Sequence, residues 1–189
     1  MSSSNLKPVM CTTERGVSLV ELLVFIVVIG IAVGGMLAVF GQSARTSADP
    51  MIDKQARAIA ESLLAEVLGR PFTYCDPDDA NADSATSPAG CASQPEGMGP
   101  EPGETRYSGV TPFDNVNDYA GFAMNGITDA VGSPVADLVA YAARVAVTDA
   151  GAWNGLPAGE TLLVTVTVDG PANHRVVLSG YRTRHAPNL

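Results

Sequence analysis

Basic side chains are scarce in this sequence. Lysine and arginine together number 11, against 20 aspartates and glutamates, so the formal net charge is -9. The basic residues are scattered singly, and an acidic surface repels the phosphate backbone of nucleic acids. The composition therefore argues against a nucleic-acid partner.

Sequence motifs of common enzyme classes are absent as well. The chain has no G-x-S-x-G nucleophile turn, no Walker A loop, no G-x-G-x-x-G fingerprint and no H-E-x-x-H zinc motif. We therefore expect a protein that is not an enzyme and carries no cofactor.

Charged residues are missing from one long apolar run, residues 22–40. A helix of 19 residues spans roughly 28 Å, close to the thickness of the hydrocarbon core of a bilayer. The run is longer than the apolar part of a secretory signal, and no small-x-small cleavage site follows it. The sequence thus predicts a retained transmembrane helix, and Lys7 and Arg15 before it favour a cytoplasmic N-terminus.

A single carboxylate, Glu21, stands at the start of this apolar helix, where a charge is costly and indicates function. The segment reads Arg-Gly-Val-Ser-Leu-Val-Glu over residues 15–21, with Gly16 five positions before the glutamate. A short polar leader, a glycine, a glutamate at this spacing and an unbroken apolar helix closely resemble the class III signal of type IV prepilins and type II secretion pseudopilins.

This resemblance implies a processing pathway and a set of partners. A membrane prepilin peptidase would cut after Gly16 and N-methylate Val17, a position where many relatives carry Phe or Met. Glu21 would then pair with the N-terminal ammonium of a neighbouring pilin subunit, which neutralises two charges buried in a fibre core. The implied partners are the peptidase, other subunits, the inner-membrane assembly platform and the lipid bilayer. The implied location is the inner membrane with a periplasmic C-terminal domain, then an extracytoplasmic pilus or pseudopilus.

Gly30 and Gly34 form a G-x-x-x-G pattern within the apolar run. Small residues at this spacing allow close helix packing in membranes. The same glycines could instead give the helix flexibility, and the sequence leaves both interpretations open.

Residues 51–68 are amphipathic and predict an extracytoplasmic helix within residues 41–70. The apolar stripe has 3/4 spacing and consists of Ile52, Ala56, Ile59, Leu63 and Val67. Asp49-Pro50 is either the N-cap and first residue of this helix or a kink in a longer one.

Three cysteines occur, and no C-x-x-C motif. Cys11 precedes the apolar run and falls on the cytosolic or discarded side. Cys75 and Cys91 follow it, in a loop-like region at 73–112, and their position outside the membrane predicts one disulfide in an oxidising compartment. Closing that loop would stabilise the fold by about 3 kcal/mol.

The cysteine loop also carries a candidate metal site. Asp79, Asn81 and Asp83 alternate in the manner of calcium ligands. Ser84, however, replaces the turn glycine, and Gly90 stands where the bidentate glutamate belongs. Two interpretations stay open, namely a solvated acidic loop and an irregular calcium site.

Alternating apolar residues predict strands within 138–148, 162–169 and 175–183, with a hairpin connection at 169–174. Such strands form an antiparallel sheet with one face on a core helix. The expected fold is α+β, the type IV pilin fold: a leader at 1–16, an assembly helix at 17–40 and a globular domain over 71–189 with one cysteine-containing loop.

The region from Pro71 to Phe122, which includes aromatic residues between Asp and Asn at 113–119, resembles the minor pilins of the mannose-sensitive haemagglutinin (MSHA) pilus system. That resemblance implies a structural subunit that acts in pilus assembly or adhesion. Two alternatives remain: a minor pseudopilin of a type II secretion system, and a singly membrane-anchored periplasmic binding module.

Trp153 is either a loop anchor over the sheet or a surface recognition residue.

Overall fold

The structure is a computed structural model that describes residues 16–184, and for residues 42–49 it describes the backbone alone. The predicted leader before Gly16, with Cys11, lies outside the described residues. The chain divides into two compact units, Met1–Ser47 and Ala48–Leu189.

One long helix, α1, runs from Leu19 to Leu68. Its first 23 residues, Leu19–Gly41, are apolar and long enough to cross a membrane, since 23 residues span about 34 Å. Pro50 lies inside the helix and provides no backbone N–H. The backbone is helical through residues 49 and 50, so of the two interpretations of Asp49-Pro50 the structure contains the longer helix.

Four antiparallel strands form one sheet in the order β1-β2-β3-β4. The strands are β1 (Ala123–Asn125), β2 (Ala142–Asp149), β3 (Thr161–Asp169) and β4 (Arg175–Thr183). In the centre, Val166 of β3 is paired with Val145 on one side and Leu178 on the other. The three predicted strands are confirmed, except that the first begins at Ala142 and not at 138, where a 3-10 helix, Ala136–Leu138, ends. Strand β1 is an addition that the alternation did not predict.

The last five turns of α1 cover one face of this sheet. The predicted stripe is confirmed, because Ala56, Ile59, Leu63 and Val67 are buried together with alternate residues of β2 and β3. Gly180 of β4 permits a close approach: a Cβ there would lie 2.7 Å from Leu68 Cδ1. The unit Ala48–Leu189 thus has an α+β core of helix on antiparallel sheet.

Between α1 and β1, the chain forms turns and two short 3-10 helices, Pro88–Gly90 and Asn117–Tyr119. Cys75 and Cys91 form a disulfide, as predicted. The segment around 113–119 is a packed turn: Phe113 and Tyr119 are buried, and their rings meet edge to face at 5.1 Å. This region has little regular structure but contributes to the same core.

Candidate functional site

The first candidate site is the N-terminal part of α1. Glu21 lies in the first turn of the helix and is the only charged residue in Leu19–Gly41. A negative charge at this end of a helix interacts favourably with the helix dipole. Gly16 and Val17 precede the helix in an exposed, non-helical stretch. The predicted cleavage position is therefore in an open segment directly before the helix.

All described side chains of this apolar part are exposed, from Val17 to Gly41. Nothing lies within 4 Å of a Cβ added at Gly30 or Gly34. The face that carries these glycines is therefore uncovered within the part of the chain that the structure describes. A stretch this apolar requires lipid or other protein around it.

The second candidate site is an acidic cluster in the folded unit, on the loops between α1 and β1. It brings together carboxylates from three segments that are distant in sequence. We call the acidic cluster the set Asp76, Asp78, Glu96, Glu101, Glu104, Asp114 and Asp118.

Three overlapping triads define its geometry. They are Asp76 with Glu101 and Glu104, Asp76 with Asp78 and Asp114, and Glu96 with Glu101 and Asp118. In each triad, one carboxylate oxygen of every member lies within 4.8 Å of the others. The ion pairs among the described residues all lie elsewhere, so no Lys or Arg neutralises these carboxylates.

Burial and mutual repulsion raise the pKa values in the acidic cluster. Burial, followed by the charges of Asp118 and Glu101, raises the pKa of Glu96 to about 9. Burial likewise raises the pKa of Glu104 to about 8, and those of Asp114 and Asp118 to about 6. These shifts mean that the cluster disfavours its own negative charge and favours a proton or a cation.

Asp79, one of the predicted calcium ligands, has a different environment. Its Oδ1 accepts the backbone N–H groups of Asn81 and Ala92 at 2.8 and 2.9 Å. Its Oδ2 accepts those of Ser93 and Gln94 at 2.7 and 2.8 Å. These bonds, those from Ala92 and Asn81 first, hold the pKa of Asp79 well below its usual range. Asp79 is therefore an internal acceptor that joins the two sides of the disulfide loop.

The other two predicted ligands do not extend that site. The Asn81 side-chain amide donates to the Gly90 carbonyl at 2.9 Å, and Asp83 is exposed. A cation at Asp79 would compete with four backbone donors for the same oxygens. The calcium interpretation for these three residues stays a prediction, and the structure favours a role for Asp79 in loop architecture.

A buried ion pair attaches the loop region to α1. Arg106 donates from Nε and Nη2 to the two carboxylate oxygens of Glu66, at 2.8 and 2.7 Å. The Tyr119 hydroxyl donates to the same carboxylate at 2.8 Å. The Arg106 guanidinium also lies 5.6 Å from the ring centroid of Phe122. This arrangement fixes segments 104–106 and 119–122 against the helix.

Beside this ion pair is an open apolar groove of about 550 Å³ between α1 and the β1 region. Its lining includes Ile59 and Leu63 of the helix, and Met124 and Ile127 across from them. On the other face of the sheet, Trp153 stacks on Tyr181 with 4.8 Å between ring centroids. Trp153 covers Tyr181 of β4 and is itself 39% exposed, so it both packs on the sheet and contacts solvent.

Comparisons with known proteins give no family for this chain. No protein-family model, no curated protein and no solved structure matches it. The functional argument therefore depends on the residues and their geometry alone.

Sequence reasoning located the apolar helix, Glu21 and the disulfide, but it did not assemble the acidic cluster. The calcium pattern at Asp79, Asn81 and Asp83 is next to Asp76 and Asp78 in sequence, but none of its three residues belongs to the acidic cluster. The sequence did not indicate a site at Glu96, Glu101 and Glu104, because their spacing matches no ligand motif. The only available signal was the number of acidic residues between 76 and 118 in a region without lysine and with one arginine.

Proposed function

We propose that this chain is a type IV pilin-like subunit, a minor pilin that is inserted in the inner membrane and then assembled into an extracytoplasmic fibre. The observation that carries the proposal is the apolar first part of α1, Leu19–Gly41, in which every side chain is exposed and one carboxylate, Glu21, lies in the first turn. The narrower resemblance, to the MSHA biogenesis protein D, supports the proposal that the subunit acts in pilus assembly or adhesion.

The physical argument concerns what surrounds the helix. In the membrane, lipid solvates the apolar side chains between Leu19 and Gly41. In a fibre, the same side chains would contact the helices of neighbouring subunits, and the uncovered Gly30 and Gly34 would allow their close approach. Cleavage after Gly16 would create an ammonium group at Val17. Glu21 of one subunit and this ammonium of the next would then form a pair that compensates two otherwise costly charges.

The disulfide agrees with this location. A stable disulfide between Cys75 and Cys91 is typical of proteins in the periplasm or outside the cell. The domain that contains it would therefore be on the extracytoplasmic side of the membrane, with partners in the assembly platform and the fibre.

The first test is N-terminal mass spectrometry of the protein isolated from its native membrane. We expect a mature chain that begins at Val17, with or without a methyl group on its amine. A chain that begins at Met1 would contradict the proposal and would favour the singly anchored periplasmic module, because no new amine would then exist near Glu21.

The second test separates assembly from insertion. Glu21→Gln should leave the amount of protein in the membrane unchanged but remove it from sheared fibres, since the Val17 ammonium loses its partner. Glu61→Gln is the matched control, because Glu61 is an exposed carboxylate on the same helix. Equal recovery of both variants in sheared fibres would refute the role of Glu21. Recovery with a secretion pseudopilus would assign the subunit to that machine instead.

A further inference from the structure

A buried carboxylate oxygen without a hydrogen-bond partner occurs in the acidic cluster. Asp118 is 1% exposed. Its Oδ2 accepts the backbone N–H groups of Asp114 and Asn115 at 2.9 and 2.7 Å, whereas its Oδ1, which is also buried, accepts none. Buried polar atoms in native proteins nearly always have a partner, so Oδ1 of Asp118 has an acceptor position open for a water molecule or a bound ion.

Two more oxygens of this kind lie beside Asp118. Both carboxylate oxygens of Glu96 are buried and accept no hydrogen bond. An oxygen from each of Glu96, Glu101 and Asp118 lies within 4.8 Å of the other two. Oxygens that share one calcium ion at about 2.3–2.6 Å can be at most about 5 Å apart. The triad therefore has the dimensions of a single calcium coordination sphere.

We propose that Glu96, Glu101 and Asp118 bind a calcium ion, with Asp76 and Glu104 next to them in the acidic cluster. All ligand atoms are carboxylate oxygens, the type preferred by hard divalent cations. The cluster contains no histidine, and its nearest cysteine, Cys75, is in the disulfide. Zinc and other metals that select nitrogen or sulfur ligands therefore do not fit.

Backbone contacts hold the ligand-bearing segments together. The Glu96 N–H donates to the Tyr74 carbonyl at 3.0 Å, next to the bridge between Cys75 and Pro95. On the other side, the Gly99 N–H donates to the Asn117 carbonyl at 3.1 Å. These bonds bring the carboxylates of 96, 101 and 118 to one place, so the energetic cost of ordering the site is largely met by the fold.

The geometry favours calcium over magnesium. Magnesium requires near-ideal octahedral coordination at about 2.0–2.1 Å and releases its water reluctantly, so it is held by one or two carboxylates. Calcium accepts six to eight oxygens in irregular arrangements. Three carboxylates on separate turns, with water at the remaining positions, match the second description. The bound ion would link segments 94–104 and 114–118 and stabilise the loop region.

The test uses the full-length protein in detergent, first depleted of metal with a chelator. Calorimetric titration with calcium chloride should show saturable binding at one site, and the melting temperature should rise with calcium concentration. Magnesium chloride should produce a smaller rise. This inference is independent of fibre assembly, because binding is measured on the isolated chain.

Two variants and one control identify the ligands. Glu96→Gln and Asp118→Asn should weaken calcium binding at least about tenfold. In chelator, both should melt at or above the wild-type temperature, since the Gln and Asn side chains are neutral and add no charge to the acidic cluster. Asp83→Asn is the matched control, because Asp83 is an exposed acidic residue of the neighbouring loop outside the cluster. It should bind calcium as the wild type does.

Three results would overturn the proposal. The first is no saturable binding by the wild type up to about 10 mM calcium, tenfold above the weakest dissociation constants of protein calcium sites. The second is an equal response to magnesium, which would remove the calcium assignment. The third is a loss of affinity in Asp83→Asn as large as that in Glu96→Gln, which would move the site to the disulfide loop.

Discussion

The ion pair between Glu66 and Arg106 gives the sharpest prediction for stability. Arg106 is almost completely buried, with its side chain 7% exposed, and the Glu66 side chain is 24% exposed. Arg106→Met leaves the Glu66 carboxylate with the Tyr119 hydroxyl as its main remaining donor. Breaking a buried pair costs about 3–5 kcal/mol. Because Glu66 keeps some solvent contact, we expect a loss of about 2–3 kcal/mol in the free energy of unfolding.

A double-mutant cycle isolates the contribution of the pair. Glu66→Gln alone leaves the buried guanidinium without its carboxylate, and we expect a similar loss. The double variant contains neither charge. Its loss in the free energy of unfolding should therefore be smaller, by about 2 kcal/mol, than the sum of the losses of the two single variants. The assay is equilibrium urea unfolding of the full-length protein in detergent, followed by the fluorescence of Trp153, the single tryptophan.

Arg144→Met provides the control for this cycle. Arg144 pairs with Asp169 on the surface of the sheet, where its side chain is 56% exposed. Such exposed pairs contribute about 0–1 kcal/mol. If Arg106→Met cost no more than Arg144→Met, or if the two single effects added within about 0.5 kcal/mol, the structural importance of the buried pair would be refuted.

Three further predictions follow from the same structure. Burial raises the pKa of Glu66, but hydrogen bonds from Arg106 and Tyr119 outweigh burial and lower it below 4.5. The ionised Glu66 therefore contributes to the free energy of unfolding above about pH 4.5, and this contribution is lost as the pH falls through the lowered pKa. Between pH 5 and pH 3, the urea midpoint should fall more steeply for the wild type than for the variant that combines Glu66→Gln with Arg106→Met. Replacing Cys75 and Cys91 together by Ser should cost about 3 kcal/mol in urea unfolding, and unreduced protein should contain no titratable thiol at either position. Val166→Ala should lower the free energy of unfolding by about 2 kcal/mol, because Val166 is fully buried. Val177→Ala, at a site that is 52% exposed, should change it by no more than about 0.5 kcal/mol. Equal losses would show that the assigned inner face of the sheet is wrong.

Local patterns in the sequence predicted most of the regular structure. The 3/4 spacing of Ala56, Ile59 and Leu63 and the alternation in β3 are direct consequences of helix and strand geometry, so they could be read without a structure. The strand β1 was missed because it has three residues and one buried side chain, Met124, too few for an alternation to be visible.

The sequence by itself determined the apolar helix, the isolated glutamate at its start and the pair of cysteines that form the disulfide. These features depend on residue type and on spacing along one segment. Only the tertiary structure decided which carboxylates share a site. Glu96 and Asp118 are 22 positions apart, and turns without a periodic pattern bring them together. Their unpartnered oxygens result from burial and backbone geometry, which no local spacing encodes.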